Sequence, residues 1–354
     1  MTTVLVLFGG ASNEHEVSLL SAKSVIENIP REEFRVEMLG ITKQGGWLHY
    51  SGNPALLPDG KWLENSANLT PAVLSPDPAH GGLLLLKDGE TQTLPVDVVF
   101  PVLHGKNGED GTVQGLLTLA QLPFVGCDLL SSAMCMDKGV TNLVMDFAGI
   151  AQAKWRAFTR DAFAADGEAL LAEAAAYLGF PLFVKPANAG SSVGVSKVKA
   201  ANELRAAVES AFLHDSKVVL EEGIDGSELE CAVLGDARAL CTSVVGEIAP
   251  SNEFYDYSAK YIDNESGLYI PARVSEADAA ALRGIAAKAY CAMGCSDLAR
   301  VDFFRRHSDG ALLLNELNTL PGFTAISMYP KLFAAAGLPY PELLRRLISL
   351  ALNR

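Results

Sequence analysis

Val4 to Phe8 is an unbroken apolar run that ends at Gly9-Gly10. A run apolar on both faces is expected of a strand in a parallel sheet, where other elements cover both sides. Asn13, followed three residues later by Glu16, then offers a capping-box-like helix start. A second buried run, Val96 to Leu103, leads into the turn His104-Gly105-Lys106-Asn107-Gly108-Glu109-Asp110-Gly111. Strands that feed glycine turns and helices predict an open, Rossmann-like α/β domain over residues 1–130.

A helix opening at Ser131 or Ser132 is expected to bury Val140, Leu143, Val144 and Phe147, spaced i, i+3, i+4, i+7, and to stop at Gly149. Asp161 to Ala176 is alanine-rich and reads as helix. Leu182 to Pro186 reads as a strand entering the turn Ala189-Gly190-Ser191-Ser192-Val193-Gly194. A helix carrying Leu204, Val208 and Phe212 and a strand from Val218 to Glu221 complete a central unit, residues 131–225. In residues 226–354, Leu229–Leu234 and Leu240–Ile248 read as strands. Ser275 opens a helix with the stripe Leu282, Ile285, Ala286, Ala289 and Met293, and Pro341 opens a last one that buries Leu343, Leu344, Leu347, Ile348 and Ala351. Between them, Ser251 to Gly267 is polar, tyrosine-rich and aperiodic. Such a long loop in a compact domain is uncommon and often functional, so residues 247–268 are the expected lid.

Composition narrows the classes. The 354 residues, 49% of them apolar, allow two or three domains with sizeable cores. Lys and Arg total 28 against 42 Asp and Glu, a net charge of −14, so a basic surface tracking nucleic acid is not expected. No apolar run approaches the roughly 18 residues of a membrane span. The six cysteines lack paired metal spacing and are too few for a disulfide scaffold. A cytoplasmic, soluble, multi-domain protein with no membrane or nucleic-acid partner is the expectation.

The densest chemistry lies near the C-terminal end. Ala299 to Phe304 and Leu312 to Asn318 flank His307-Ser308-Asp309-Gly310, which reads as a hairpin. A three-residue loop ending in left-handed Gly310 would pair His307 with Ala311. Asp302 then faces Glu316 and Arg300 faces Asn318, all on one face. Two opposed acids beside an amide oxygen suit Mg²⁺. The plainer reading is a solvated face with Arg300 neutralising one acid, and a two-residue loop would send Glu316 to the other side.

Other segments look like phosphate grips. Lys185 closes a buried strand before a turn rich in glycine and serine, whose N–H groups and hydroxyls suit phosphate oxygens, although it matches neither a Walker A loop nor G-x-G-x-x-G. Lys138 on a helix and Lys260 on the long loop are weaker candidates, since taken alone each reads first as a solvated lysine. Glu221 and Glu222, ending a strand, suit adenine and ribose or are surface acids.

Together these segments resemble the D-alanine–D-alanine ligase family of the ATP-grasp superfamily. The resemblance spans the chain: Phe8-Gly9-Gly10 with Glu14 to Ser18, His104 to Thr112, Met136-Asp137-Lys138, Val184-Lys185-Pro186, Gly190 to Gly194, Tyr255-Asp256-Tyr257 with Lys260-Tyr261, Arg300-Val301-Asp302, and Asn315 to Thr319 with Pro321-Gly322. Phe100–Gly115 and Gly126–Lys138 look especially like the vancomycin-resistance D-alanine–D-serine branch. The resemblance implies three α/β domains in an ATP-grasp fold. It also implies that ATP phosphorylates one D-alanine, that a second D-amino acid attacks the acyl phosphate, and that the dipeptide serves the cell wall. By the same resemblance, Lys138, Lys185 and Lys260 hold phosphates. Glu221, Glu222, the Ile224 backbone, Glu228 and Asn315 line the nucleotide. Asp302, Glu316 and Asn318 bind two Mg²⁺, with Mn²⁺ able to substitute. Arg300 and the Gly322 N–H stabilise the oxyanion. Glu14 binds the first substrate's ammonium near His104, and Glu14, Ser191 and Tyr261 form a linked set. Ser327 holds the second substrate's carboxylate beside Met328. A homodimer is also implied.

Read without the resemblance, Glu14 is a first-turn acid and His104 a satisfied core histidine. The chain departs from many relatives at Ala325-Ile326 and at Glu222. Met328, Tyr255, Tyr261 and Gly246 lean toward D-alanine over D-serine as second substrate. A nucleotide-binding protein without turnover is the reading from another class. A dehydrogenase is disfavoured because its glycine fingerprint is missing.

Overall fold

The computed structural model describes residues 1–191, 193–236, 238–249 and 267–354. Its first sheet has seven strands in the order β6-β5-β4-β3-β2-β1-β7. These are β1 (Thr2–Gly9), β2 (Phe34–Ile41), β3 (Trp47–Tyr50), β4 (Leu69–Leu74), β5 (Gly82–Lys87), β6 (Glu90–Pro95) and β7 (Val98–Val102). β1 runs parallel to β2 and β7, and the remaining pairs are antiparallel. Alternation along β1 explains its continuous apolar run. Val4, Val6 and Phe8 enter one core, and Leu5 and Leu7 enter another with Val113 and Leu117.

The first of these cores crosses the length of the chain. It joins β1 and α1 (His15–Asn28) to Ala232, Leu298, Phe323 and Tyr329, and to Leu343, Leu347 and Ile348 of the last helix, α9 (Tyr340–Leu352). The N-terminal sheet is thereby fixed against C-terminal elements. The capping box expected at Asn13 and Glu16 is not made. Glu14 is the N-cap without a side-chain cap, Ser12 Oγ accepts from the Glu14 N–H, and Glu16 pairs with Lys43.

The helix expected from Ser131 to Gly149 is two, α3 (Leu129–Met136) and α4 (Lys138–Phe147), after α2 (Thr112–Leu119). Extended Asp137 separates them and caps α4 by accepting from the Val140 N–H at 3.0 Å. The break rephases the surface. Leu143 is 60% and Phe147 96% exposed, while Thr141, Asn142 and Met145 are buried. The apolar stripe misled because α4 buries polar groups with partners: Thr141 donates to the Met134 carbonyl and Asn142 to Glu221.

The second sheet is antiparallel in the order β10-β9-β11-β8. It comprises β8 (Trp155–Thr159), β9 (Leu182–Pro186), β10 (Ser196–Val198) and β11 (Lys217–Glu222), packed with α5 (Arg160–Leu178) and α6 (Ala201–Ala211). The third runs β14-β13-β12-β15-β16: β12 (Gly226–Gly235), β13 (Cys241–Ala249), β14 (Gly267–Tyr269), β15 (Asp297–Arg306) and β16 (Leu312–Asn318). Against it lie α7 (Glu276–Ala292), capped by Ser275 as expected, and α8 (Met328–Ala335). The outer ends of the expected lid are strand: Glu247 pairs with Tyr269 and Ala249 with Gly267. Tyr255, Lys260 and Tyr261 lie outside the described residues.

Candidate active site

A cleft of about 680 Å³ opens where elements of all three sheets converge. Every described residue that the sequence nominated lines it: Glu14, His104, Lys138, Lys185, Ser191, Glu221, Glu222, Ile224, Glu228, Arg300, Asp302, Asn315, Glu316, Asn318, Gly322, Ser327 and Met328.

The acids come from β15 and β16. Arg300 pairs with Asn318 and Asp302 with Glu316, as expected, but the turn differs. The Arg306 N–H donates to the Ala311 carbonyl, so the loop holds four residues, His307–Gly310, and Phe303 pairs with Leu314. That register alone would set Asn315 against Asp302. A bulge at Asn315 absorbs the extra residue and brings Glu316 back into phase. Arg300 engages Asp302 through both ends of its fork, Nε to Oδ1 at 2.7 Å and Nη2 to Oδ2 at 2.6 Å. Asn318 Nδ2 donates to Asp302 at 3.0 Å. Burial opposes the charge on Arg300, but Asp302 and Glu230 outweigh it and hold the guanidinium well above its ordinary pKa. Two carboxylates and an amide form an oxygen-rich donor set of the kind Mg²⁺ prefers. Among the described residues, no group of three or more His, Cys, Asp or Glu side chains is arranged to hold a metal.

The second sheet contributes cations. Lys185 Nζ meets Glu221 Oε2 at 2.5 Å, both side chains mostly buried. Burial alone would lower the lysine's pKa, but Glu221 raises it, so the ammonium stays charged at the cleft wall. Asn142 Nδ2 donates to the other Glu221 oxygen at 3.4 Å. Lys138, in the first turn of α4, donates to the Ala189 carbonyl at 2.8 Å and so borders the Gly190–Ser191 turn. Glu222 accepts the Lys154 N–H at 2.8 Å, which ties one of its oxygens to the backbone before β8.

Glu14 bridges the N-terminal sheet to that turn. Ser191, whose φ is +47°, donates its hydroxyl to Glu14 Oε1. A Cβ built on Gly105 would lie 2.3 Å from Glu14 Oε2, and one on Gly190 2.8 Å, so the carboxylate fits only between glycines. Glu109 lies close by and accepts the Gly105 N–H at 2.7 Å. Desolvation, then the Glu14 charge, push its carboxyl up to about 8. The sequence assigns Glu109 no role of its own within the His104–Thr112 segment, and the expected role of Glu16 in capping is absent. The third member of the expected linked set, Tyr261, lies outside the described residues.

His104 is 5% exposed, and protein groups occupy both ring nitrogens. Nδ1 lies 3.1 Å from the Leu320 carbonyl, which can only accept, so Nδ1 carries the proton. Burial lowers its pKa and favours the neutral ring, whose Nε2 then accepts from Ser21 Oγ at 2.9 Å. Ser21 Oγ also accepts the Phe323 N–H at 3.3 Å. The satisfied-histidine reading therefore describes His104's hydrogen bonds, while the residue still borders the cleft. These bonds bracket Gly322. The Ser327 hydroxyl sits 2.8 Å from Thr324 Oγ1 and accepts the Thr324 N–H at 3.0 Å. A Cβ on Gly246 would fall 2.4 Å from the Met328 methyl, so the missing side chain lets Met328 lie against β13. Glu109, Ser21, Thr324 and Glu230 escaped sequence reasoning: Ser21 and Glu230 take their places through distant partners, His104 and Arg300, while Glu109 and Thr324 bond within their own turns, to Gly105 and Ser327, with no spacing signal to mark them.

A family model described as "D-ala D-ala ligase N-terminus" matches residues 3–127, and one described as "D-ala D-ala ligase C-terminus" matches residues 144–349. A D-alanine–D-alanine ligase of Acetivibrio thermocellus is 48% identical, over 99% of this chain and 96% of its own. Among solved structures, the VanG D-Ala:D-Ser ligase from Enterococcus faecalis is 44% identical with a TM-score of 0.90 and covers 99% of each chain. The D-alanine–D-alanine ligase from Coxiella burnetii is 35% identical with a TM-score of 0.85, over 100% of this chain and 96% of its own. The three sheets around one charged cleft are those of an ATP-grasp enzyme. The chain belongs to the D-alanine–D-alanine ligase family, whose members are ATP-dependent ligases.

Proposed function

We propose that the cleft joins two D-alanines at the expense of ATP, through an acyl phosphate, to give the dipeptide used in peptidoglycan. The observation that carries this reading is the Asp302–Glu316 pair at one wall of a cleft whose other walls hold Lys185, Lys138 and the Gly190–Ser191 turn. A carboxylate is a poor electrophile, and phosphorylation supplies its leaving group. Lys138 and Lys185, with Lys260, bind and orient ATP phosphates. Glu221, Glu222, the Ile224 backbone, Glu228 and Asn315 line the adenosine. Glu14, held by Ser191 and flanked by glycines, receives the first D-alanine's ammonium, with Tyr261 completing that set. Asp302, Glu316 and Asn318 hold Mg²⁺, or Mn²⁺ in its place. When bound, the ions neutralise phosphate charge and align the transferring group. Arg300 and the Gly322 N–H steady the developing oxyanion. Ser327 takes the second substrate's carboxylate.

Met328, the apolar residue after Ser327 on the cleft wall, supports a methyl over a hydroxymethyl side chain in the second substrate: an unpaired hydroxyl beside it costs selectivity. The D-serine reading draws on the likeness to VanG. Competing D-alanine, D-serine and D-lactate as second substrate separates them: D-Ala–D-Ala should dominate, and mainly D-Ala–D-Ser would overturn the preference. Absence of phosphate release with ATP, Mg²⁺ and any D-amino acid would favour a nucleotide-binding protein without turnover. The reading divides the chain at residues 130 and 225 into N-terminal, central and C-terminal domains. It includes a cytoplasmic setting, where ATP is supplied, and a homodimer. Leu143 and Phe147, exposed one turn apart on α4, supply apolar surface for such a contact. No described helix is long and apolar enough to cross a membrane.

A further inference from the structure

Glu230 was not among the residues nominated by sequence, yet it completes a row. It pairs with Asp302 across β12 and β15, and Asp302 pairs with Glu316 across β15 and β16. Directly opposed residues on antiparallel strands project from the same face, so three carboxylates stand side by side on three strands. One cation sits among them. Arg300, two residues before Asp302, places Nε 3.2 Å from Glu230 Oε2 while its fork grips both Asp302 oxygens. The side chains of Glu230, Asp302 and Arg300 are only 7%, 12% and 14% exposed.

This arrangement contains a conflict. The Asp302 oxygens that bind Arg300 are the ones a divalent cation needs, so guanidinium and metal compete for them. A mostly buried guanidinium cannot simply give up a carboxylate; it requires another partner. We propose that Glu230 is a positioning residue for Arg300, holding the guanidinium in the cleft when Asp302 turns its oxygens to the divalent ion. The Nε–H that now donates to Asp302 Oδ1 then turns to Glu230 Oε2, its ion-pair neighbour, and the Nη2 group now on Asp302 is released toward substrate oxygens. Glu230 then acts on the cation through Arg300 rather than as one more negative charge beside it. This inference rests on the metal-site reading given above.

A double-mutant cycle tests it, with the free Mn²⁺ electron paramagnetic resonance signal as readout while Mn²⁺ is titrated in the presence of the non-hydrolysable ATP analogue AMP-PNP. In the full chain, Glu230→Gln is expected to weaken Mn²⁺ binding about tenfold, the scale of one close charge–charge coupling. Arg300→Ala, which removes the competitor, should bind Mn²⁺ at least as tightly as the parent. Added to Arg300→Ala, Glu230→Gln should change affinity by less than about twofold, because its effect is coupled to the arginine. A tenfold loss that persists without the arginine would mean that Glu230 acts as a plain charge, and an unchanged affinity for Glu230→Gln alone would remove it from the site; either overturns the proposal. Thermal melts identify a variant that has failed to fold, and Glu230→Asp, which keeps the charge, should restore part of the affinity. If the parent chain binds no Mn²⁺, the metal-site reading fails first, in an arm that contains no Glu230 variant, and takes this inference with it.

Discussion

Asp302 and Glu316 face each other across β15 and β16 only because a bulge at Asn315 corrects a register that the four-residue turn had displaced by one. Bulges re-aim side chains beside functional sites, and here the correction places a second acid against the first. Glu316→Gln keeps the shape and removes one charge. ATP-dependent phosphate release is expected to fall about a hundredfold or more, the scale of losing one preorganised electrostatic contact. The melting temperature should hold, because opposed like charges do not stabilise a ladder. Turnover within a few-fold of the parent would remove Glu316 from the site.

Lys185 and Glu221 form a mostly buried pair at 2.5 Å. Removing one member leaves the other charged and unpaired, so Lys185→Met should cost about 3 kcal/mol in urea unfolding. The double variant Lys185→Met/Glu221→Leu should regain most of that stability. Neither should bind AMP-PNP well in calorimetry, with affinity down about tenfold or more. Recovery of nucleotide binding along with stability would show that the lysine is structural.

Gly105 has φ +70°, and a Cβ there would lie 2.3 Å from Glu14 Oε2. Gly105→Ala should therefore destabilise the fold by about 1 kcal/mol or more and displace the Glu14 carboxylate. The expected kinetic signature is a raised KM for D-alanine with the KM for ATP unchanged. Equal effects on both would place the damage elsewhere.

Glu109 holds its proton up to about 8, against an ordinary value of 4.5. Its folded pKa is raised, so its contribution to stability is complete below about 4.5 and is lost as pH rises through the folded value. The melting temperature of Glu109→Gln relative to the parent should therefore climb between pH 5 and pH 9. A difference independent of pH would mean that Glu109 ionises normally beside Glu14.

Much of the candidate site was legible in the chain because its residues belong to or close buried runs. Lys185 on β9 and Glu221 on β11 close such runs, whereas the expected facing of Asp302 and Glu316 came about through a four-residue turn and a bulge rather than the three-residue turn the sequence suggested. Helix α4 was misjudged for a physical reason. A stripe of Val140, Leu143, Val144 and Phe147 has the right spacing, but Thr141 and Asn142 are buried with their partners on neighbouring elements. Periodicity measures apolarity and cannot detect a polar side chain whose partner compensates it.

The amino-acid order by itself determined the α/β class, the strands of β1, β9 and β15, the burial of the last helix and most of the charged residues around the cleft, Glu109 and Glu230 excepted, because local period and turn chemistry act over a few residues. Only the tertiary structure decided that Asn315 bulges, that His104 spends both nitrogens on Ser21 and Leu320, and that Arg300 is shared between Asp302 and Glu230. Those outcomes depend on contacts between segments tens to hundreds of residues apart, whose distances are set when the sheets pack together.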